Sequence, residues 1–144
     1  MALETTTSYL ADSITIFRQT KTLAEKAMVQ VTDEQLVKPL DSESNSIALI
    51  VKHMAGNMRS RWTGFPEADG EKPDRDRDSE FEAPPATRES LLALWEEGWQ
   101  CLFAALEPLT DEDLGRSTTI RGERHSVMQA IRAFSEYSET FKER

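Results

Sequence analysis

Residues 41–65, DSESNSIALIVKHMAGNMRSRWTGF, constrain the fold more than any other part of the chain. The apolar residues in this stretch recur at steps of three and four, which places them on one face of an amphipathic helix. They are Ile47, Ile50, Val51, Met54, Met58 and Trp62. Ser44, Asn45 or Ser46 can cap the start, because a short side-chain oxygen accepts an orphan helix N–H. The stretch therefore predicts a long helix with one buried face.

A polar line runs beside this apolar stripe. His53, one of two histidines in the chain, lies on the flank of the stripe, and Asn57 and Arg61 follow at four-residue steps. Residues at that spacing lie one above the other on a helix. We expect Asn57 and Arg61 to line a pocket next to His53, with Arg61 as a contact for an anion. Arg59 is expected to pair with acidic residues at the surface, and the same surface pairing is the alternative for Arg61.

Three further helices are predicted by the same periodicity. The first covers residues 5–31, which contain no Gly or Pro. The third runs from a Thr87 cap to about residue 106, and its apolar residues cover more than half of its circumference. The fourth begins near His125 or Ser126 and continues in helical pattern to residue 144. His125 is expected to be an exposed or capping residue at that helix start.

Two similar short motifs follow the first and the third helix. Residues 31–36 read VTDEQL and residues 109–114 read LTDEDL. Thr32 and Gln35 form a capping box, in which each side chain bonds the other's backbone N–H. A serine-led apolar helix follows each motif, so the chain contains a weak duplication of a helix, box and helix unit. One such unit cannot bury its apolar face alone.

The sequence therefore predicts an all-α fold, a four-helix bundle formed by one domain over residues 1–144. Residues 64–85 form a long crossover between the second and third of these helices. In the crossover, charges alternate from residue 74 to 78, which predicts a solvated turn. Thr118, Thr119 and Ile120 are β-branched but too few to indicate a strand.

Charge and cysteine content limit the classes of partner. The formal net charge is −9, and an acidic chain is a poor ligand for nucleic acid or anionic membranes. No apolar run approaches a membrane span of about 18 residues, and the first residues do not resemble a secretory signal. The single cysteine, Cys101, lies in an acidic and apolar context, which predicts a helix-packing residue in a reducing, cytoplasmic compartment.

Three segments carry a resemblance to a known family: NSIALIVKHMAGNMRSRWTGF, DGEKP and DRDSEFE. They resemble the DinB/YfiT-like superfamily, and more closely its uncharacterised branch of small bacterial domains, over about residues 10–131. The resemblance implies a DinB-like four-helix bundle and a homodimer.

The resemblance also implies a metal site. Typical members bind zinc or nickel through one histidine on the second helix and an HxxxH pair on the fourth, and active relatives use low-molecular-weight thiols. His53 matches the first ligand. The fourth-helix positions fall on Tyr137 and Phe141, or, with a one-residue slip, on Glu136 and Thr140. Tyr137 or Glu136 is therefore the candidate substitute ligand, and the His triad is incomplete.

Two functions follow, and no catalytic residue is assigned in either. The first is a protein that resembles metal-dependent thiol transferases or hydrolases, with zinc or nickel at His53 and a small molecule or thiol as ligand. The alternative is a non-catalytic bundle, without a cofactor, that acts as a binding or dimerisation module. A third and weaker hypothesis is a fourth helix completed by a partner chain, since its apolar face still runs at Phe141.

Overall fold

The fold consists mainly of α-helices. The computed structural model describes residues 8–39, 46–76, 80 and 87–142, with side chains of the last helix as far as Glu136. Five α-helices lie in these ranges, and a 3-10 helix and a two-stranded sheet stand between the fourth and the fifth. They are α1 (Tyr9–Val29), α2 (Asp33–Val37), α3 (Ile47–Trp62), α4 (Arg88–Leu106), the 3-10 helix (Asp111–Gly115), β1 (Ser117–Ile120), β2 (Glu123–Ser126) and α5 (Val127–Lys142). The all-α prediction is thus confirmed in its broad form.

Side-chain caps define where the helices begin. Ser46 accepts from the N–H of Leu49 and starts α3, and Thr87 starts α4 as predicted. Both predicted boxes also form: Thr32 exchanges hydrogen bonds with Gln35 before α2, and the Thr110 N–H donates to a carboxylate oxygen of Asp113 at 2.7 Å. These bonds satisfy N–H groups that have no partner within the helix.

An aromatic cluster joins the four long helices. Phe134 of α5 makes edge-on contacts with Phe17 of α1, Trp62 of α3 and Trp99 of α4, at centroid separations of 5.5, 5.7 and 6.3 Å. All four side chains are almost completely buried. Each helix therefore contributes one large ring to a shared core, and such rings provide much of the apolar area that folding buries.

The backbones of α3 and α4 approach closely at Gly98. A Cβ atom on Gly98 would lie 3.1 Å from the Cα of Ala55 and 3.0 Å from the Cε of Met58. A larger residue at this position would require these neighbours to move by a few tenths of an ångström. This contact fixes one side of the cavity described below.

The prediction that residues 118–120 form no strand is wrong. β1 pairs antiparallel with β2, and Ser117 lies opposite Ser126. The connecting residues Arg121 and Gly122 have φ values of 56° and 76°, the left-handed pair typical of a two-residue hairpin turn. His125 consequently lies half-buried in β2 rather than at a helix start, and α5 begins at Val127.

Within the ranges given above, no helix combines the length and the apolar character needed to cross a bilayer.

Candidate functional site

One face of α3 carries the polar line that the sequence predicted, and the crossover packs against it. His53 is half-buried, Asn57 is buried, and Arg61 is half-buried. Ser60 lies on the same side and is also buried. The described part of the crossover, residues 64–76 and 80, binds this face through polar contacts rather than through a large apolar surface.

The strongest of these contacts is a network of His53, Glu80 and Arg75. His53 Nδ1 lies 2.8 Å from Glu80 Oε1. Arg75 donates from Nε to Glu80 Oε2 at 3.1 Å and from Nη2 to Glu80 Oε1 at 3.2 Å. The side chains of Arg75 and Glu80 are 3% and 8% exposed. A buried ion pair of this kind needs both partners, because either one alone would be an uncompensated charge.

These bonds keep Glu80 ionised. Burial by itself raises the pKa of the Glu80 carboxyl, but the hydrogen bonds from His53 and Arg75 outweigh it and hold that pKa below its usual range. The carboxylate is therefore the charged centre that holds the crossover on α3 near neutral pH.

Gly56 makes room for this carboxylate. A Cβ atom on Gly56 would lie 2.2 Å from Glu80 Oε2 and 2.6 Å from Glu80 Cδ. Both distances are shorter than any non-bonded contact allows. A glycine in the middle of α3 is unfavourable for the helix itself, so its place here follows from the close approach of Glu80.

A second group of bonds joins the crossover to α3 and to the hairpin. Ser60 Oγ donates to the carbonyl of Gly70 at 3.1 Å and accepts from the N–H of Lys72 at 2.9 Å. The N–H of Gly70 donates to the carbonyl of Thr119 in β1 at 2.7 Å. Asp69 accepts from the N–H groups of Glu71, Arg121 and Gly122, each at 2.8 Å. These backbone bonds lower the pKa of Asp69 to about 2.

A cavity of about 480 Å³ lies between α3, α4 and the crossover. Its lining is mostly polar and charged, with glycines from both helices. The α3 residues are Lys52, Ala55, Gly56, Arg59, Ser60 and Thr63; the crossover gives Lys72, Pro73, Asp74, Arg75, Asp76 and Glu80; α4 gives Leu94, Glu97 and Gly98. The exposed Arg59 lies 3.6 Å from Asp74 and 3.9 Å from Glu97, as the predicted surface pairing requires. Neither Asn57 nor Arg61 contributes to the described lining.

Sequence reasoning missed the partners of His53. The alternating charges of residues 74–78 predicted a solvated turn, which is wrong for Arg75, because its side chain is buried against Glu80; Asp74 and Asp76 are exposed as expected. Glu80 and Gly56 carried no prediction. A glycine within a strongly periodic helix is a signal of close approach and could have indicated that another segment touches α3 at that turn.

The expected metal ligands are only partly described. Glu136 is exposed and pairs with Arg132 at 3.5 Å. The side chains of Tyr137, Thr140 and Phe141 lie outside the described residues. Within the described ranges, His, Cys, Asp and Glu side chains form no group of three suited to a metal ion. The two possible metal ligands that do meet are His53 and Glu80. Glu80 also binds Arg75, whose positive charge opposes a divalent cation beside this carboxylate.

The chain belongs to a family that is described as protein of unknown function (DUF1572), whose match covers residues 4–141. No curated protein and no solved structure matches the chain.

Proposed function

We propose that this member of a family of unknown function is a DinB-like four-helix bundle that acts as a small-molecule binding module. The four long helices that share the Phe134 cluster support the bundle, and the resemblance of residues 41–65 supports the superfamily. The ligand site in this proposal is the cavity between α3, α4 and the crossover.

One observation carries the choice of binding over catalysis: His53 is joined to the buried Glu80–Arg75 pair. A histidine held in this way anchors the crossover and so gives the cavity a fixed wall. A preformed, concave site with a few fixed polar groups is typical of small-molecule binding. The lining carries both cations (Lys52, Arg59 and Lys72) and carboxylates (Asp74, Asp76 and Glu97), which suits a ligand with charges of both signs. Low-molecular-weight thiols such as glutathione carry carboxylates and an ammonium group.

Calorimetric titration with glutathione tests the proposal. We expect saturable binding to the unmodified protein and several-fold weaker binding to Arg59→Gln, because the substitution removes a cation from the cavity lining. Arg132→Gln is the matched control: it also removes an exposed helical arginine that is only loosely paired with carboxylate, but outside the cavity. Equal binding by both variants, or no binding by the unmodified protein, would contradict the proposal.

A second candidate is binding of zinc or nickel at His53, as the resemblance implies, with Glu136 or Tyr137 as a further ligand. The contact of Glu80 with Nδ1 favours it, because a carboxylate on one ring nitrogen is the usual way to orient a metal-binding histidine. Elemental analysis of the protein beside His53→Ala decides between the two. Stoichiometric metal that is lost in the variant supports the metal site; absence of metal from both supports the anchor.

We also propose a cytoplasmic homodimer. Apolar side chains exposed on the described surface provide material for a subunit contact: Leu23, Val29, Val37, Leu92 and Met128. Sedimentation velocity measures the mass directly, and a strictly monomeric species would contradict this part of the proposal and the completion of α5 by a partner chain.

A further inference from the structure

Arg61 is a cation that the described residues leave without a carboxylate partner. Its Nε lies 3.4 Å from the carbonyl oxygen of Gly70, which is long for a hydrogen bond. Across residues 8–39, 46–76, 80 and 87–142, no ion pair reaches its guanidinium. The side chain is half-buried. A partly desolvated guanidinium with most of its five N–H donors unmatched is energetically unfavourable.

The charged groups around Arg61 also make its positive charge unfavourable. Burial, and then the positive charge of Arg75, lowers the pKa of Arg61, and the carboxylates of Glu71 and Asp69 only partly offset the effect. Glu71 is already shared: its Oε2 lies 3.5 Å from Arg75 Nη1 and 3.4 Å from Arg121 Nε. Three guanidinium groups therefore lie near two carboxylates, those of Glu71 and Asp69, at this end of α3.

Two fully buried polar atoms near Arg61 also lack a hydrogen bond among the described residues. One is Nη1 of Arg75, whose side chain is 3% exposed; its ion-pair contact with Glu71 Oε2, at 3.5 Å, is too long for a normal hydrogen bond. The other is Oδ1 of Asn57, which lies one helical turn before Arg61 on the same face. Buried polar atoms are nearly always paired, so unpaired ones on two segments that meet here indicate a missing partner.

We propose that Arg61, Arg75 Nη1 and Asn57 form a binding site for the phosphate group of a small molecule, where the end of α3 meets the crossover. Unprotonated phosphate oxygens accept from the two guanidinium groups, and Arg recognises phosphate through paired N–H donors. A monoprotonated phosphate also offers a P–OH donor to Asn57 Oδ1, which a carboxylate lacks. Arg61 is not part of the cavity lining, so this site does not rest on the binding module proposed above.

Thermal melts in matched ionic strength test the site with inorganic phosphate as the probe, and with chloride and acetate as references. The unmodified protein and the control variant Arg132→Met are both expected to melt at a higher temperature in phosphate than in chloride. Arg61→Met is expected to lose this gain and to bind phosphate about tenfold or more weakly, because a charge-assisted hydrogen bond is removed. In chloride, Arg61→Met should melt at the same or a higher temperature, since it removes an unmatched cation.

Four outcomes would overturn the proposal. They are the absence of any gain in phosphate for the unmodified protein, an equal gain in Arg61→Met, an equal gain in acetate, and a lower melting temperature of Arg61→Met in chloride. If Arg61→Met does not fold, an NMR titration of the unmodified protein takes the place of the melts. It follows the Nε–Hε resonance of Arg61, which is assigned by its absence from the spectrum of Arg61→Lys. That resonance must move on phosphate titration and stay unchanged in acetate.

Discussion

Replacement of Gly56 by alanine separates helix propensity from the role of the crossover. By propensity alone, alanine in the middle of α3 would stabilise the helix by about 0.8–1.0 kcal/mol relative to glycine. By packing, the added Cβ would lie 2.2 Å from Glu80 Oε2, so the carboxylate must leave its position. The two effects have opposite signs, and their magnitudes decide the result.

The packing effect should be the larger one. Displaced Glu80 loses its bonds with His53 and Arg75, and the buried Arg75 keeps only its longer contact with Glu71, at 3.5 Å. Breaking a buried ion pair by removing one partner costs about 3–5 kcal/mol. After the gain from propensity, we expect Gly56→Ala to lower the free energy of unfolding by about 2–4 kcal/mol.

Urea denaturation followed by tryptophan fluorescence measures this change, because Trp62, Trp95 and Trp99 are buried in the core. The decisive comparison is the same substitution in a Glu80→Ala background. There the carboxylate is absent, so Gly56→Ala should stabilise the protein by about 0.5–1 kcal/mol. Gly115→Ala is the control, since a Cβ at that position meets no atom within 4 Å. Stabilisation by Gly56→Ala in the unmodified background, or equal destabilisation in both backgrounds, would refute the reasoning.

Two further predictions concern the ends of the crossover and of α1. The depressed pKa of Asp69, about 2 against an ordinary 3.8, means that its contribution to stability is present above pH 3.8 and is lost as the pH falls toward 2. Between pH 3.8 and 2, the free energy of unfolding should therefore fall less steeply in Asp69→Asn than in the unmodified protein. The same pH dependence in both proteins would contradict this. Arg88 donates to the carbonyls of Met28 and Val31 at the end of α1, so Arg88→Ala should lower the free energy of unfolding by about 2 kcal/mol in urea melts. The exposed pair that Arg132→Ala removes should cost less than about 0.5 kcal/mol, and equal losses would refute the role of Arg88.

Periodicity and caps predicted the helices well because both are local. Ser46 and Thr87 lie at the helix starts, and the rings of Trp62, Trp99 and Phe134 point into one core as their spacing required. The hairpin was missed for a local reason too. Four-residue strands give little alternation, and the single Gly122 between them is a weak turn signal beside the strong helix pattern that follows.

The candidate site was only half predictable, because its second half comes from a segment without periodicity. His53 lies on α3, but Glu80 is 27 residues further along the chain. Which crossover carboxylate reaches α3 depends on the path of the chain through two prolines and two glycines, and sequence spacing does not determine that path. Arg75 shows the same limit: alternating charges are typical of solvated turns, and only the meeting of Glu71 and Glu80 makes its burial favourable.

The helices and the crossover are held by different forces, so they should respond differently to solution conditions. The Phe134 cluster is apolar and does not titrate, whereas the crossover is held by Asp69, Glu80 and Arg75. The pKa values of both carboxyls are below their usual ranges, so acidification weakens the crossover contacts while the aromatic core is unaffected. Amide protons such as that of Gly70, bonded to Thr119, should therefore lose protection from exchange at a higher pH than those in the middle of α4. Simultaneous loss of protection in both places would mean that the crossover and the helices unfold as one cooperative unit.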